Sequence, residues 1–382
     1  MRLSLRALNR ATLARQLLLE RERLPAVDAV RRLVALQAQE PASPYLALWN
    51  RVPDFEPMEL DAAFGSYALV KAPLMRITLH AVAAQDHATF RDAMRTTLRA
   101  ARLNDEHFRS TGLSVEDADA LIPHLVAFAR RPRTKQEIEA LLAERLGAVP
   151  EPGVWWALRT VAPLVHAVTG GPWSFGRTPA FVAVPESQGS DGPAVAKQRL
   201  VLRYLEAFGP ASRRDVAQFA LLRQSEVRPA LDALAETLVE YGGPDGETLY
   251  DVADAALPDG DVPAPPRLMA MWDSVLLAYA DRSRVIPPAY RPHVIRRNGD
   301  VLPTVLVDGF VCGVWRPVDG GIEVTAFHAL GEEAWEGIER EARALHSLLE
   351  GRDGDAYGRY GHWWKRLEGV EVRVEVRVVG QG

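Results

Sequence analysis

The sequence predicts a mostly α-helical protein with added β-structure: three tandem winged-helix domains, followed by a C-terminal β-rich domain resembling a barrel. Three observations lead to this prediction. At 382 residues the chain exceeds one typical domain. A pattern of helices followed by strand-like segments recurs with a spacing of roughly 70 residues. Beyond the Pro-rich, acidic stretch 254–266 the pattern changes to short strands separated by tight turns.

The first domain is predicted to span residues 1–112. Leucines along a broad stripe indicate a helix over 5–19, and Pro25 precedes a second helix over 26–38. Pro41 and Pro44 then break the chain. Two short helices, two strands and an Arg-rich helix follow, at 45–49, 57–65, 67–71, 75–82 and about 91–102.

The second and third domains are predicted at 113–188 and 189–256, with the segment ESQGSDGP (186–193) as the boundary between them. Capping-box patterns indicate helix starts at Thr134 and at Ser212. The predicted elements are helices at 116–130, about 152–163, 195–208 and 223–240, a helix that begins at Thr134 and a short helix that begins at Ser212, strands around LVHAV and PAFVAV, and a hairpin at Pro244-Asp245-Gly246.

The C-terminal domain is predicted to span 257–382. Asn298-Gly299 and Asp308-Gly309 lie between alternating apolar and polar residues, which is a strong hairpin signal, and Gly320-Gly321 predicts another turn. A helix over 331–350 and a final strand over 370–379 complete this domain.

Composition excludes several classes of protein. The chain is 48% apolar and 25% charged, and it lacks an apolar run long enough to cross a bilayer. Cys312 is the only cysteine, and the nine histidines form no zinc-binding motif, so we expect neither a disulfide nor a metal site. The Arg-rich N-terminus is interrupted by Glu20 and Glu22, and we expect it to be the first helix of a cytoplasmic protein.

Charge gives a mixed indication about nucleic acid. The net charge of −5 argues against it, but nearly all cations are arginine, with only four lysines at 71, 135, 197 and 365. A GC-rich genome favours arginine over lysine because arginine codons are GC-rich, and this explains the larger part of the arginine excess. Arginine also grips phosphates in a bidentate fashion, and a basic face can be hidden by acidic residues elsewhere.

The pair Gln37 and Gln39 lies at the predicted end of the second helix. Side chains two residues apart on a helix cannot face one target. Since a residue that precedes proline disfavours helix, Glu40 is expected to leave the helical region, and both glutamines could then converge. Spacing alone still favours a polar helix end without further function.

An amide is never a real general base, but it can orient a water through its carbonyl acceptor and NH₂ donors. That is sufficient only where the leaving group is already activated. An N-alkylated purine meets this condition because its base is cationic. The pair is therefore a candidate for hydrolysing such a glycosidic bond.

A second candidate site is the turn Arg296-Arg297-Asn298-Gly299, with Arg282 and Arg284 nearby in sequence. A basic hairpin tip can enter a DNA groove or wedge between bases. The alternative, a solvated turn whose Asn-Gly is chosen for its backbone geometry, is favoured by sequence alone. His80 is expected to be a satisfied strand histidine.

Five segments together resemble the AlkZ/YcaQ-like family of winged-helix DNA glycosylases: LSLRALNRATLARQLLL, LVALQAQEPASPYLALW, LMRITLHAV, WDSVLLAYADRSRVIP and VLVDGFVCGVW. The resemblance covers nearly the whole chain, and the Gln-x-Gln after the second helix is its most specific element. It implies a basic concave cleft in which Gln37 and Gln39 are catalytic. It also implies a DNA-contacting hairpin at 296–299, for which Gly170-Gly171 and Gly246 are competing candidates. Gln rather than Asp at position 39 is similar to the azinomycin-type branch.

The resulting hypothesis is a monofunctional DNA glycosylase that releases N7-alkylated purines and unhooks interstrand crosslinks of the azinomycin type, for DNA repair and self-resistance. No lysine is expected beside the pair, so no Schiff-base step is expected. We expect a monomer acting on double-stranded DNA at the bacterial nucleoid, without metal or organic cofactor and without a membrane partner. The alternatives are a winged-helix regulator or drug-sequestering protein that binds DNA without catalysis, and a winged-helix module for protein partners.

Overall fold

The structure is a computed structural model that describes residues 1–184, 192–367 and 375–380. Most of the predicted linker at 186–193 lies outside the described residues, as do residues 370–374 of the predicted last strand. Within the described chain, no helix combines the length and the apolar character needed to cross a membrane.

The elements up to residue 109 are α1 (Leu5–Arg15), α2 (Ala26–Arg32), β1 (Leu36–Gln37), α3 (Ser43–Trp49), α4 (Pro57–Gly65), β2 (Leu69–Pro73), a 3₁₀ turn (Met75–Ile77), β3 (Leu79–Ala83), α5 (Ala84–Leu103) and α6 (Glu106–Arg109). The next elements are α7 (Val115–Phe128), β4 (Arg133–Thr134), α8 (Lys135–Leu146), α9 (Pro152–Val161), β5 (Leu164–Ala167) and β6 (Ala180–Ala183).

They are followed by α10 (Gly192–Phe208), β7 (Ala211–Ser212), α11 (Arg213–Ala220), α12 (Gln224–Ala233), a 3₁₀ turn (Ala235–Thr237), β8 (Leu238–Gly242) and β9 (Thr248–Val252). The last part contains β10 (Arg267–Leu268), a 3₁₀ turn (Ser274–Leu276), α13 (Arg291–Val294), β11 (Thr304–Val307), β12 (Phe310–Val318), β13 (Gly321–Ala326), α14 (Glu332–Glu350), a 3₁₀ turn (Gly358–Tyr360), α15 (His362–Lys365) and β14 (Glu375–Gly380).

One order of elements, helix–strand–helix–helix–strand–strand, occurs three times. It runs from α2 to β3, from α7 to β6 and from α10 to β9. Each time the short first strand pairs antiparallel with the last strand, which also pairs with the strand before it. The first two sets share one six-stranded sheet, in the order β1-β3-β2-β5-β6-β4, and the third forms its own sheet, β7-β9-β8.

Local sequence explains several element boundaries. Thr134 and Ser212 each accept a hydrogen bond from the backbone three residues on, and Glu137 and Asp215 bond back to them, so the predicted capping boxes are confirmed. The predicted turn at Asp308-Gly309 joins β11 to β12, with Gly309 at φ 81°.

The C-terminal sheet is open, so the expected barrel is wrong. Its order is β10-β11-β12-β13-β14, and no pairing closes β10 onto β14 in the described residues. Helix α14 packs against β10, β13 and β14 instead and covers the apolar face with Trp335 and Leu345, which are buried. A helix therefore buries the face that closure of a barrel would otherwise bury.

The predicted helix over 26–38 is too long. Helix α2 ends at Arg32, and Val34 adopts a left-handed conformation with φ 70° that stops it. Residues 36–37 then pair with β3, with Gln37 opposite His80. Gln37 is therefore the last residue of an edge strand and Gln39 follows this strand, so neither glutamine ends a helix.

Two other predicted elements also differ from the structure, again because of positive φ angles or strand pairing. Residues 75–77, predicted as strand, form a 3₁₀ turn in which Arg76 and Ile77 have positive φ. The helix predicted over 223–240 ends at Ala233, because residues 238–242 pair with β9.

Buried polar contacts fasten the C-terminal part to the N-terminal part. Asp273 accepts two hydrogen bonds of 2.8 Å from the Arg51 guanidinium, and Arg51 also donates to the backbone carbonyls of Gln16 and Ala47. The hydroxyl of Ser274 donates to the carbonyl of Ala35 at 2.9 Å. These contacts place residues 272–274 beside the strand that carries Gln37.

Candidate active site

The strand that carries Gln37 departs from the other two repeats. In those, the second residue of the short strand, Thr134 or Ser212, directly caps the following helix. Gln37 holds the equivalent place in β1, but the next helix begins only at Ser43. The inserted residues 38–42 carry Gln39 and free Gln37 from any capping role. An extended backbone projects residues i and i+2 to the same side, which explains how both amides reach one place.

The two glutamines have different environments. The backbone N–H of Ala38 donates to Leu79 at 2.8 Å and continues the pairing of β1 with β3. Gln37 is 4% exposed, and its Oε1 accepts a hydrogen bond of 2.8 Å from Nη2 of Arg76. Gln39 is exposed, and its side chain makes no hydrogen bond to any residue in the described ranges.

His80 lies behind Gln37 and is fully buried. Its Nδ1 is 3.0 Å from the carbonyl of Thr78, which can only accept, so this nitrogen carries the proton. Its Nε2 lies 3.5 Å from Nη2 of Arg76. Burial, and then the charge of Arg76, lower the pKa of His80 to about 3, so the ring is neutral at working pH. His80 is thus a satisfied strand histidine that also faces Arg76.

Gln37 and Gln39 line one cleft of about 450 Å³. Its other lining residues come from all parts of the chain except the third repeat: Pro73, Ile77, Thr78, Leu79, Arg102, Arg159, Thr160, His166, Phe181, Trp272, Asn298, Gly299 and Asp300. The structure therefore brings the glutamine pair together with the tip of the predicted hairpin.

One wall of the cleft is cationic. Arg102 of α5 lies over the Trp156 ring at 4.2 Å, and burial, followed by the charge of Arg159, lowers its pKa. Arg159 of α9 is exposed, and within the described chain no ion pair to it is found. In the part of the chain that the structure describes, neither guanidinium forms an ion pair with a carboxylate, and this favours an anionic ligand such as a phosphate.

Another part of the lining is the turn 296–300, through Asn298, Gly299 and Asp300. The backbone N–H of Arg296 donates to Asp300 at 2.8 Å, and Gly299 has φ 89°. In the described chain an isolated β-bridge between Ile295 and Val301 and a hydrogen bond of 3.0 Å from Leu302 N–H to the Val294 carbonyl close the turn, so it is a tight loop and not an extended hairpin. Trp272 donates from Nε1 to the Gly299 carbonyl at 2.9 Å and holds the tip in the cleft.

The predicted DNA-contacting side chains are not all at the cleft. Arg297 is exposed beside the tip, and Asn298 and Gly299 line the cleft. Arg296 turns away, with its guanidinium 5.3 Å from the Trp363 ring and its Nε and Nη2 shielded without a partner in the described structure. The competing turns at Gly170-Gly171 and at Gly246 do not line the cleft in the described structure.

Arg282 and Arg284 also lie outside the cleft. Arg282 is partly buried, and its charge is close enough to Arg76 to help lower the pKa of that guanidinium. Arg284 is buried: its Nη1 donates to the carbonyl of Pro210 at 3.0 Å, and its guanidinium lies 3.9 Å from the centroid of the Tyr279 ring. Arg284 therefore supports the backbone around Pro210.

Lysine is absent from the described lining of the cleft. The nearest candidate along the sheet, Lys71 on β2, is buried against the Phe175 ring, and burial lowers its pKa to about 8. In the described chain, no group of three or more His, Cys, Asp or Glu side chains could hold a metal ion.

Sequence reasoning missed Arg76, Arg159, Thr160, His166 and Trp272 as residues around the pair. Trp272 opens the segment WDSVLLAYADRSRVIP, which carried part of the family resemblance, so that segment held a usable signal. Arg76 lies in LMRITLHAV, another of these segments. The other three are brought to the cleft by the pairing of strands and the packing of α9, which local patterns do not reveal.

Comparison with known proteins defines the class. The model of the family "DNA glycosylase AlkZ-like" matches residues 30–348, so the chain belongs to the AlkZ-like DNA glycosylases. The chain is 27% identical over 362 residues to the interstrand DNA cross-link repair glycosylase of Streptomyces sahachiroi, covering 86% of this chain and 92% of that protein. The solved structure of Streptomyces sahachiroi DNA glycosylase AlkZ shares the fold, with a TM-score of 0.76 at 21% identity, covering 93% of this chain and 98% of the other.

Proposed function

We propose that this DNA glycosylase hydrolyses the N-glycosidic bond of N7-alkylated purines in double-stranded DNA, and that it unhooks interstrand crosslinks of the azinomycin type for repair and self-resistance. The observation that carries the proposal is the single cleft lined by Gln37, Gln39 and the tip at Asn298 and Gly299, with Arg102 and Arg159 on its wall. The relative that is a cross-link repair glycosylase supports the crosslink as a substrate.

The chemistry of the pair restricts the substrate. Neither amide can take a proton at working pH. Among the described residues that line the cleft, Asp300 is the only one with a carboxylate. Oδ2 of Asp300 accepts hydrogen bonds from Trp363 at 2.8 Å and from Asn298 at 2.9 Å, which hold this carboxylate at the turn. The pair can therefore hold a water, but the base must leave without help. A cationic N7-alkylpurine does so, because it departs as a neutral base.

The scaffold fits DNA binding. The repeated order of elements supports three tandem winged helices, which we assign to residues 1–112, 113–188 and 189–256, with the remainder, 257–382, forming the C-terminal β-rich domain. In this proposal the cationic wall and Arg297 contact phosphates on either side of the lesion, and the tip at 298–299 faces the lesion.

The test uses three matched duplexes that contain one N7-methylguanine, one uracil or no lesion. We expect free 7-methylguanine and a strand break that appears only after alkali, no uracil release, and no adduct trapped by borohydride. A fourth duplex, which contains an N7–N7 crosslink, should run as separated strands on a denaturing gel after incubation with the enzyme. Tight binding without product would instead indicate a regulator or sequestering protein, and uracil release at a similar rate would contradict the argument from amide chemistry.

A further inference from the structure

We propose that Arg76 is a positioning residue that fixes Gln37 as the hydrogen-bond donor to the attacking water and leaves Gln39 as its acceptor. This inference rests on the proposed function and adds to it a separate role for each amide. It starts from the contact between Arg76 and Gln37, a pair that lies 39 residues apart in sequence.

The direction of the Gln37 amide follows from the chemistry of its partner. A guanidinium has only donors, so the atom that it contacts at 2.8 Å must be the carbonyl oxygen of the amide. The NH₂ group then points away from Arg76. In the described structure it has no protein partner, and Gln37 lines the cleft. A cation on the carbonyl side also polarises the amide and strengthens its N–H as a donor.

Arg76 is itself held in place. It adopts φ 54° within the 3₁₀ turn, its Nη2 also lies 3.5 Å from the unprotonated Nε2 of His80, and its guanidinium is 5.6 Å from the Phe219 ring. In the described chain no carboxylate forms an ion pair with it, so the Gln37 carbonyl is its strongest partner. Burial and the nearby Arg282 lower its pKa to about 10, and it stays charged at neutral pH.

Gln39 supplies a hydrogen-bond acceptor for the water, because the carbonyl of Gln37 is bound to Arg76. Its side chain is exposed at the same cleft, and no partner in the described structure restricts its carbonyl. The water accepts from Nε2 of Gln37, donates to Oε1 of Gln39, and keeps one lone pair for C1′. As the C1′–N9 bond breaks, its electron pair neutralises the cationic base. The water oxygen bonds to C1′, and the extra proton passes to solvent.

The first test removes the donor from position 76. Arg76→Met should slow single-turnover release of 7-methylguanine by about 10- to 100-fold, which corresponds to the loss of one charge-assisted hydrogen bond. The affinity for the duplex should stay within about two-fold. Arg76→Lys keeps a cationic donor and should recover part of the rate. In a Gln37→Ala background, Arg76→Met should have little further effect, because the two residues act through one contact.

The second test exchanges each amide for a carboxylate and keeps Arg76. Gln37→Glu has no N–H and pairs with Arg76, so it should be as slow as Gln37→Ala. Gln39→Glu keeps the acceptor and should release the base markedly faster than Gln37→Glu. The reverse order of the two variants would overturn the assignment, and this test decides the matter even where Arg76→Met does not fold.

The outcomes also separate this inference from the proposed function. If the wild-type protein releases no alkylated base, both the proposed function and the role of Arg76 are refuted. A wild-type enzyme whose rate depends on Gln37 and Gln39 but is unchanged in Arg76→Met keeps the proposed function and refutes the role of Arg76. A loss in Arg76→Met that adds in full to the loss in Gln37→Ala would mean that Arg76 is only structural.

Discussion

Replacement of Asp273 by Asn tests how the cleft is assembled. Arg51 and Asp273 are 0% and 1% exposed, and two parallel hydrogen bonds of 2.8 Å join them. Asp273 also accepts from the backbone N–H of Val275 at 3.1 Å. The pair fixes the chain next to Trp272, whose indole holds the tip of the turn at Gly299.

The expected magnitude follows from the burial of both charges. Asp273→Asn leaves the Arg51 guanidinium charged and buried, facing an amide that can pair with it through one oxygen only. Breaking a buried pair from one side typically costs about 3–5 kcal/mol of the free energy of unfolding. The same change in an exposed pair costs at most about 1 kcal/mol. Arg23 and Asp54, at 74% and 76% exposure, provide that control.

Urea unfolding of wild-type protein, Asp273→Asn and Asp54→Asn measures both values. We expect Asp273→Asn to lower the free energy of unfolding by about 3–5 kcal/mol, and Asp54→Asn to lie within about 1 kcal/mol of the wild type. Asp273→Asn should also weaken base release below its unfolding midpoint, since Trp272 and the tip lose their support. Equal, small losses for both variants would refute the reasoning that this pair fastens the two parts of the chain.

Two further predictions concern DNA binding and acid stability. In a fluorescence titration, Arg159→Ala and Arg297→Ala should each reduce the slope of log Kd against log salt concentration by about one. The control Arg343→Ala, at an exposed position on α14 away from the cleft lining, should leave this slope unchanged. Unchanged slopes for all three variants would show that Arg159 and Arg297 do not contact phosphates. Burial, and then Arg91, lower the pKa of His87 to about 4, so the unfolded chain takes up its proton first as pH falls. The stability that neutral His87 contributes above about pH 6.5 is therefore lost towards pH 4, at about 1.4 kcal/mol per pH unit. His87→Leu should flatten this loss in unfolding curves, and His124→Leu at an exposed position should not; equal slopes would contradict the burial argument.

Local chemistry made part of this structure predictable. The capping boxes at Thr134 and Ser212 and the turns at Asp308-Gly309 and Asn298-Gly299 depend on residues close in sequence, and the chain adopts them as predicted. Their signals are side-chain caps and glycines with positive φ, which act over three or four residues.

The surroundings of the glutamine pair depend on distant pairing. The apolar pattern before Gln37 suits a helix, but pairing with β3, more than 40 residues later in the chain, makes residues 36–37 a strand. Arg76 reaches Gln37 only because a turn with positive φ redirects it. Arg159 comes from another repeat and reaches the same cleft through the packing of α9. A pattern along one segment contains none of this information.

The central claim is that Gln37 and Gln39 carry base release while contributing little to DNA affinity. The direct measurement is single-turnover release of 7-methylguanine by wild type, Gln37→Ala and Gln39→Ala, with Gln136→Ala, an exposed glutamine on α8, as the matched control. We predict that each of the first two variants is slower by on the order of 100-fold with duplex affinity unchanged, that Gln39→Ala keeps the wild-type thermal unfolding, and that the control matches the wild type. Wild-type rates in both Gln37→Ala and Gln39→Ala would contradict the account.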